Sequence, residues 1–175
     1  MAISLISKSL SLRIRRLVVL EHDPRLVAFL EELAKGEAVS VEVVHHDLRK
    51  ELPPGLGEGF DVFATDPPYT LEGLRLFASR GVSALRRESG KQGYISYGYR
   101  RPAESAEALG MLAEMGLAPV EVLPEFNHYV GAQVLAGVSQ MIRTVSTGDA
   151  SPVVQGEYRG ALYTADKRAR RKRGR

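Results

Sequence analysis

FDVFATDPPYT, Phe60 to Thr70, is the stretch on which the fold turns. A short apolar run stops at an acid, two prolines follow, and then an aromatic. The run reads as a buried strand, and the helical pattern TLEGLRLFASRGVSALRRE begins directly after it. The two prolines fix the backbone and remove two donors, so nearby carbonyls stay available as acceptors. Asp66 and the Pro67 carbonyl then form an acceptor pair at the strand's carboxyl end. An amino nitrogen held there can turn its lone pair toward an electrophilic carbon. Tyr69 offers an aromatic face for a flat base or an amine. The plain alternative is a Pro-Pro turn in which Asp66 only caps the following helix.

The same rhythm extends in both directions. RLVVLEHD predicts a strand over Leu17 to Leu20, and PRLVAFLEELAKG a helix from Pro24 to about Gly36. VSVEVVHHD predicts a strand from about Val39 to His45, and LRKELPPGLGEG a loop. Beyond the central stretch, KQGYISYGY predicts a strand near Gly93 to Tyr97. RPAESAEALGMLAEMG predicts a helix stopped at Gly116. LAPVEVLPEF and a run near Val138 to Val145 predict two more strands, with NHYVGAQVLAG between them unassigned. One further short strand is expected near Tyr158 to Tyr163. Alternating strands and helices with continuous apolar runs indicate an α/β chain with parallel strands.

Ligands of such sheets bind beyond the carboxyl ends of the strands. Glu21 and Asp23, Asp47, and Asp66 stand at three successive ends. A carboxylate accepts two hydroxyl hydrogen bonds at once, which suits Glu21 to a ribose. Asp23, just before Pro24, is better placed as a helix cap. Asp47 could accept from an adenine amino group or cap the turn that begins at Leu48.

Composition bounds the rest. The 175 residues suit one domain with a real core. There is no cysteine, so disulfides and thiolate metal sites are excluded. No apolar run reaches the roughly 20 residues of a membrane span. The net charge of +3 hides an asymmetry. The tail KRARRKRGR, Lys167 to Arg175, holds seven of the 24 basic residues, and residues 1–166 carry a net of −4. The tail reads as a solvated brush, or as a contact for nucleic acid. MAISLISKSLSLRIRR has a slight transit-peptide character, but Ile3, Ile6, Leu10 and Ile14 recur at helical spacing and predict an amphipathic helix.

DPPY after an apolar strand resembles amino-group methyltransferases that use S-adenosylmethionine. VVLEHDPRLVAFLE, HHDLRKELP, FDVFATDPPYTLEGLRLFASRGVSAL, GYISYG and PEFNHY together resemble the branched-chain polyamine synthase family, N4-bis(aminopropyl)spermidine synthase, over most of residues 3–147. The resemblance implies a Rossmann-type, methyltransferase-like sheet, mostly parallel with an antiparallel C-terminal strand. It implies aminopropyl transfer from decarboxylated S-adenosylmethionine to a spermidine amine, without a metal. By matching position, Glu21, Asp23, Asp47, Asp66 and Pro67 would serve the donor. Asp66, Tyr69, Asn127 and Tyr129 would serve the acceptor, with Asp66 and Tyr69 at the chemistry. His128 reads as a surface residue.

Tyr69 departs from the family, where an acid is frequent, and restores the full methyltransferase motif. This keeps S-adenosylmethionine-dependent methylation of a nucleic-acid base as the alternative, and a non-enzymatic remnant as the third reading. The family's first strand and its Gly-Asp turn would precede Ala2. Their absence predicts a fragment or a misplaced start, weak stability, and Val18–Val19 pairing with Val62–Phe63 or an open or dimeric sheet. The expected organisation is a catalytic domain over 1–148, an extension over 149–166 and a basic tail over 167–175. Cytoplasmic location, a polyamine substrate and a homodimer complete the expectations.

Overall fold

The computed structural model describes residues 14–35, 39–98, 101–129 and 137–163. The expected N-terminal helix, the core of the 130–136 loop and the basic tail lie outside them. The chain divides into two compact units, Met1–Lys50 and Glu51–Arg175.

In the first unit, β1 (Leu17–Glu21) and β2 (Val41–His45) pair in parallel, with Leu17 opposite Val41 and Glu21 opposite His45. A parallel pair needs a crossover, and α1 (Pro24–Ala34) supplies it. Asp23 caps α1 by accepting from the Arg25 N–H, and Pro24 occupies the first turn, where its missing donor costs nothing.

The second unit is built on β3 (Val62–Thr65), α2 (Leu71–Ala84), β4 (Gln92–Tyr97), α3 (Pro102–Glu114), β5 (Leu117–His128) and β6 (Val138–Ser146). Its sheet has the order β3-β4-β6-β5. β3 and β4 are parallel, and β6 runs antiparallel to both β4 and β5. A mostly parallel sheet with one reversed strand near the C-terminus is therefore present. The expected pairing of Val18–Val19 with Val62–Phe63 is not made. Among the described residues β1 pairs with β2 alone, and β3 with β4 alone.

The core lies between this sheet and its two helices. Leu74, Ala78 and Val82, spaced by four on α2, meet Ile95, Leu112, Met115, Leu117 and Ile142. Leu74, Ile95, Leu112, Met115 and Leu117 are fully buried, each contributing about 1.5–3 kcal/mol of transfer free energy. Gly81 lets α2 sit directly on Phe63; a Cβ there would come within 2.5 Å of the ring.

The short strand expected near Tyr158 to Tyr163 does not form. Residues 149–163 run instead as irregular backbone along α2. The reason is an alternative set of partners. Buried Arg80 donates to the Val154 and Gly156 carbonyls at 3.3 and 2.7 Å, and Ser79 Oγ accepts from Val154 N–H at 3.1 Å. Thr70 Oγ1 donates to the Leu162 carbonyl at 2.7 Å, and Gly156 N–H to Glu51 at 2.9 Å.

Candidate active site

β3 ends at Thr65, and Asp66, Pro67, Pro68 and Tyr69 make the turn into α2. Pro67 is fully buried, and its carbonyl accepts no hydrogen bond among the described residues. Thr70, not Asp66, caps α2: its side chain accepts from Gly73 N–H at 3.0 Å. The cap reading of Asp66 is thereby replaced, and its carboxylate is left for other work.

That carboxylate is met from the far end of the sheet. The Tyr129 hydroxyl donates to Asp66 Oδ2 at 2.8 Å. It also lies 3.1 Å from Ser139 Oγ and 3.4 Å from the Tyr69 hydroxyl. Asn127 Nδ2 donates to Ser139 Oγ at 3.0 Å and to Ser96 Oγ at 2.9 Å. Asp66, Tyr69, Asn127 and Tyr129, four residues singled out in the sequence, therefore converge on one hydrogen-bonded cluster.

β5 delivers Asn127 and Tyr129 by irregular pairing. Between the pairs Leu123–Met141 and Asn127–Ser139, β5 advances four residues while β6 advances two. The two extra residues leave the alternation of sides unchanged and bring Asn127 opposite Ser139. Glu125, inside this bulge, takes φ 52°, an uncommon conformation for a residue with a side chain. His128 is exposed, as expected for a surface residue.

Tyr69 is held on two sides. Its ring meets Tyr97 edge-on, with centroids 5.9 Å apart. Its face lies against Gly98, where a Cβ would come within 2.5 Å of the ring. Burial and the neighbouring Tyr129 raise the Tyr69 phenol well above its ordinary range, so it stays a protonated donor. Asp66 keeps an edge in water, yet burial pushes its carboxyl above the usual range, while the Tyr129 and Tyr69 hydroxyls pull it down.

The remaining candidates lie in the first unit, at the carboxyl ends of β1 and β2. Glu21 Oε1 accepts from the His22 and Asp23 N–H groups, both at 2.7 Å, and Oε2 has no partner among the described residues. An anchored carboxylate with one open oxygen is what a ribose hydroxyl requires. Asp23 is committed to its cap and to Arg25, which hold its carboxyl far below the usual range. Asp47 accepts from Arg49 N–H at 2.9 Å, closing the turn that begins at Leu48.

Sequence reading missed Ser96 and Ser139, both fully buried. The available signal was a hydroxyl inside an otherwise apolar strand, in YISY and VSQMI. No group of His, Asp or Glu side chains able to hold a metal ion occurs among the described residues. No described helix is long and apolar enough to cross a membrane.

Residues 3–151 match the family model of the branched-chain polyamine synthase A C-terminal domain. The chain belongs to this family. It is 38% identical over 117 residues to the N(4)-bis(aminopropyl)spermidine synthase of Thermus thermophilus, covering 66% of this chain and 34% of that protein. An uncharacterised protein of Methanocaldococcus jannaschii is 38% identical over 131 residues, covering 74% of this chain and 32% of that one. The chain thus spans about a third of the length of the curated relatives it matches. The crystal structure of the Thermus thermophilus branched-chain polyamine synthase, in complex with N4-aminopropylspermidine and 5′-methylthioadenosine, matches with a TM-score of 0.71 and 29% identity. The match covers 84% of this chain and 48% of that one. An S-adenosylmethionine-dependent methyltransferase of Methanosarcina mazei, 9% identical with a TM-score of 0.59, shares the fold. The Rossmann-type, methyltransferase-like reading of the sequence is correct, and the polyamine synthase resemblance with it.

Proposed function

We propose that this chain carries the aminopropyl-transfer centre of a branched-chain polyamine synthase, acting on decarboxylated S-adenosylmethionine and a secondary amine of spermidine. The observation that carries the reading is the Asp66 carboxylate. It follows β3 directly, one residue before the fully buried Pro67, with Tyr129 bonded to one of its oxygens.

The acceptor amine enters uncharged at the reacting nitrogen. The single N–H of this secondary amine donates to Asp66, which turns the nitrogen lone pair toward the aminopropyl carbon bonded to the donor's sulfonium, while the Pro67 carbonyl serves the donor. The N–C bond forms as the C–S bond breaks, and the electron pair stays on sulfur, releasing neutral 5′-methylthioadenosine. The proton on the new ammonium passes to Asp66 and then to water. Orientation supplies most of the rate, since the sulfonium is already a good leaving group. Tyr69 and Tyr129 line the acceptor side, and Asn127 fixes the frame behind them. Glu21 accepts from the ribose and Asp47 serves the adenine region, while Asp23 supports Glu21 by fixing the turn between them. The mildly acidic body favours a polycationic substrate.

The test is incubation of the purified chain with decarboxylated S-adenosylmethionine and spermidine, followed by mass spectrometry. Equal amounts of N4-aminopropylspermidine and 5′-methylthioadenosine support the reading. Methyl transfer from S-adenosylmethionine to nucleic acid in their place overturns it in favour of the base methyltransferase. A folded chain that performs neither reaction overturns it in favour of a non-enzymatic domain.

A further inference from the structure

The contacts around Asp66 have a direction that can be deduced. An ionised carboxylate only accepts, so at 2.8 Å the Tyr129 hydroxyl must donate to Asp66. Tyr129 has one proton, and it is now spent. The 3.1 Å contact between Tyr129 and Ser139 must then be donated by Ser139. Ser139 also has one proton, so its 3.0 Å contact with Asn127 must be donated by the Asn127 amide. The second N–H of that amide goes to buried Ser96 at 2.9 Å, which fixes the carboxamide plane. Every hydroxyl between Asn127 and Asp66 therefore points its proton toward the carboxylate.

We infer that Asn127 and Ser139 are positioning residues that aim the Tyr129 hydroxyl proton at Asp66 and so hold this carboxylate in its ionised, accepting state. Neither residue touches the acceptor amine in this role. They act through Tyr129. Bonds in such a chain polarise one another, so a donor two places away strengthens the last bond. A protonated Asp66 could donate to Tyr129 instead, and the Tyr129–Ser139 contact would reverse with it, but the Asn127 amide nitrogen can only donate. Ser139 would then accept from both sides with its own proton unused, so the fixed Asn127 end favours the ionised Asp66. The titratable groups facing Asp66 among the described residues are Tyr69, from the turn before α2, and Tyr129, beyond the end of β5. The catalytic meaning of the relay rests on the aminopropyl-transfer reading, but its geometry does not.

The test follows the Asp66 carboxyl by carbon NMR titration in six proteins: the native chain, Ser139→Ala, Asn127→Ala, Tyr129→Phe, and Tyr129→Phe combined with each of the other two. Ser139→Ala should raise the proton affinity of Asp66 about threefold, and Asn127→Ala about twofold. Neither should add anything once Tyr129→Phe has removed the last donor. Unchanged titration in both single variants, or a shift that persists with Tyr129→Phe, overturns the relay. If buried Ser139 does not tolerate alanine, the half-exposed Asn127 carries the same comparison. Transfer activity gives a second arm: the acid limb of its pH profile should move upward in the same order. Coupled titrations without any transfer in the native chain would leave the relay standing and overturn the proposed reaction. Transfer with an unmoved acid limb and unmoved titrations would do the reverse.

Discussion

Tyr129 and Asp66 stand 63 residues apart in the chain, and their side chains meet at 2.8 Å. The sheet makes the meeting. Asp66 leaves the end of β3, Tyr129 leaves the end of β5, and β4 and β6 lie between those strands. The contact spans a sheet face that carries Ser96 on β4 and Ser139 on β6, both hydrogen-bonded to Asn127. A carboxylate held by a phenol donor is oriented without being neutralised.

Removing that carboxylate should abolish transfer and spare the fold. Asp66→Ala is expected to lower kcat/KM for aminopropyl transfer at least about a hundredfold, equivalent to roughly 3 kcal/mol of lost transition-state stabilisation. Thermal melting should not fall, because Asp66 keeps an edge in water, caps no helix and carries a charge that burial disfavours. Substantial transfer by a folded Asp66→Ala chain would remove Asp66 from the mechanism.

Glu21 makes a separable prediction. Its Oε1 is held by two backbone N–H groups, and a glutamine oxygen can take the same two bonds. Glu21→Gln should therefore keep the turn but lose acceptor capacity for a ribose diol. Affinity for 5′-methylthioadenosine, measured by calorimetry, should fall about tenfold. Unchanged affinity would reassign Glu21 to the turn alone.

Two glycines divide stability from site geometry. Gly81→Ala pushes a methyl into the Phe63 ring inside the core, and should cost about 1–3 kcal/mol. Gly98→Ala pushes one into the Tyr69 ring, beside the candidate site. Chemical denaturation should find Gly81→Ala the less stable of the two. Transfer assays on folded protein should find Gly98→Ala the less active. The opposite ranking would mean that Tyr69 contributes packing and not positioning.

Much of this was legible before the structure. The continuous apolar runs placed β1, β2, β3 and β4 within two residues, although only β4 is mostly buried, β1 and β2 have no buried residue, and β3 buries only Phe63. DPPY marked Asp66 and Tyr69, and PEFNHY marked Asn127 and Tyr129. What could not be read was their arrangement. Whether Asn127 faces Ser139 depends on a two-residue register shift around Glu125, and register is a property of two strands at once. The segment after Gly148 misled for a related reason. A short strand was expected near Tyr158 to Tyr163, but side chains on and before α2 hold this segment: Arg80 takes the Val154 and Gly156 carbonyls just ahead of it, and Thr70 the Leu162 carbonyl within it.

Arg80 should accordingly behave as a clamp. Its guanidinium is buried under the segment it holds, and burial lowers its pKa from the ordinary guanidinium range. Arg80→Met keeps much of the stem but leaves the Val154 and Gly156 carbonyls without this donor. The expected cost is about 1–3 kcal/mol. Limited proteolysis should then cut within 152–163 faster than in the native chain. Equal cutting rates would show that the segment is held by other contacts.

The pH dependence of stability tests the environment of Asp66 without any assay of activity. Its carboxyl is pushed upward in the folded chain, against the pull of the Tyr129 and Tyr69 hydroxyls. Between the ordinary aspartate value of about 3.9 and the raised folded value, the native state binds more protons than the unfolded chain. Stability contributed by this group therefore falls as pH rises through that window, and stays at its lower level above it. Asp23 has the opposite sign. Its carboxyl is lowered by Arg25, so its contribution is present above the ordinary value and is lost as the pH falls below it. Asp66→Asn removes only the first effect. Urea denaturation between pH 3 and 7, on the order of the range set by these carboxyls, should show the variant and the native chain converging at the acid end. Above the folded Asp66 value the variant should be the more stable. Parallel curves across the range would mean that Asp66 ionises in the fold as freely as in water, and that its neighbours do not set its charge.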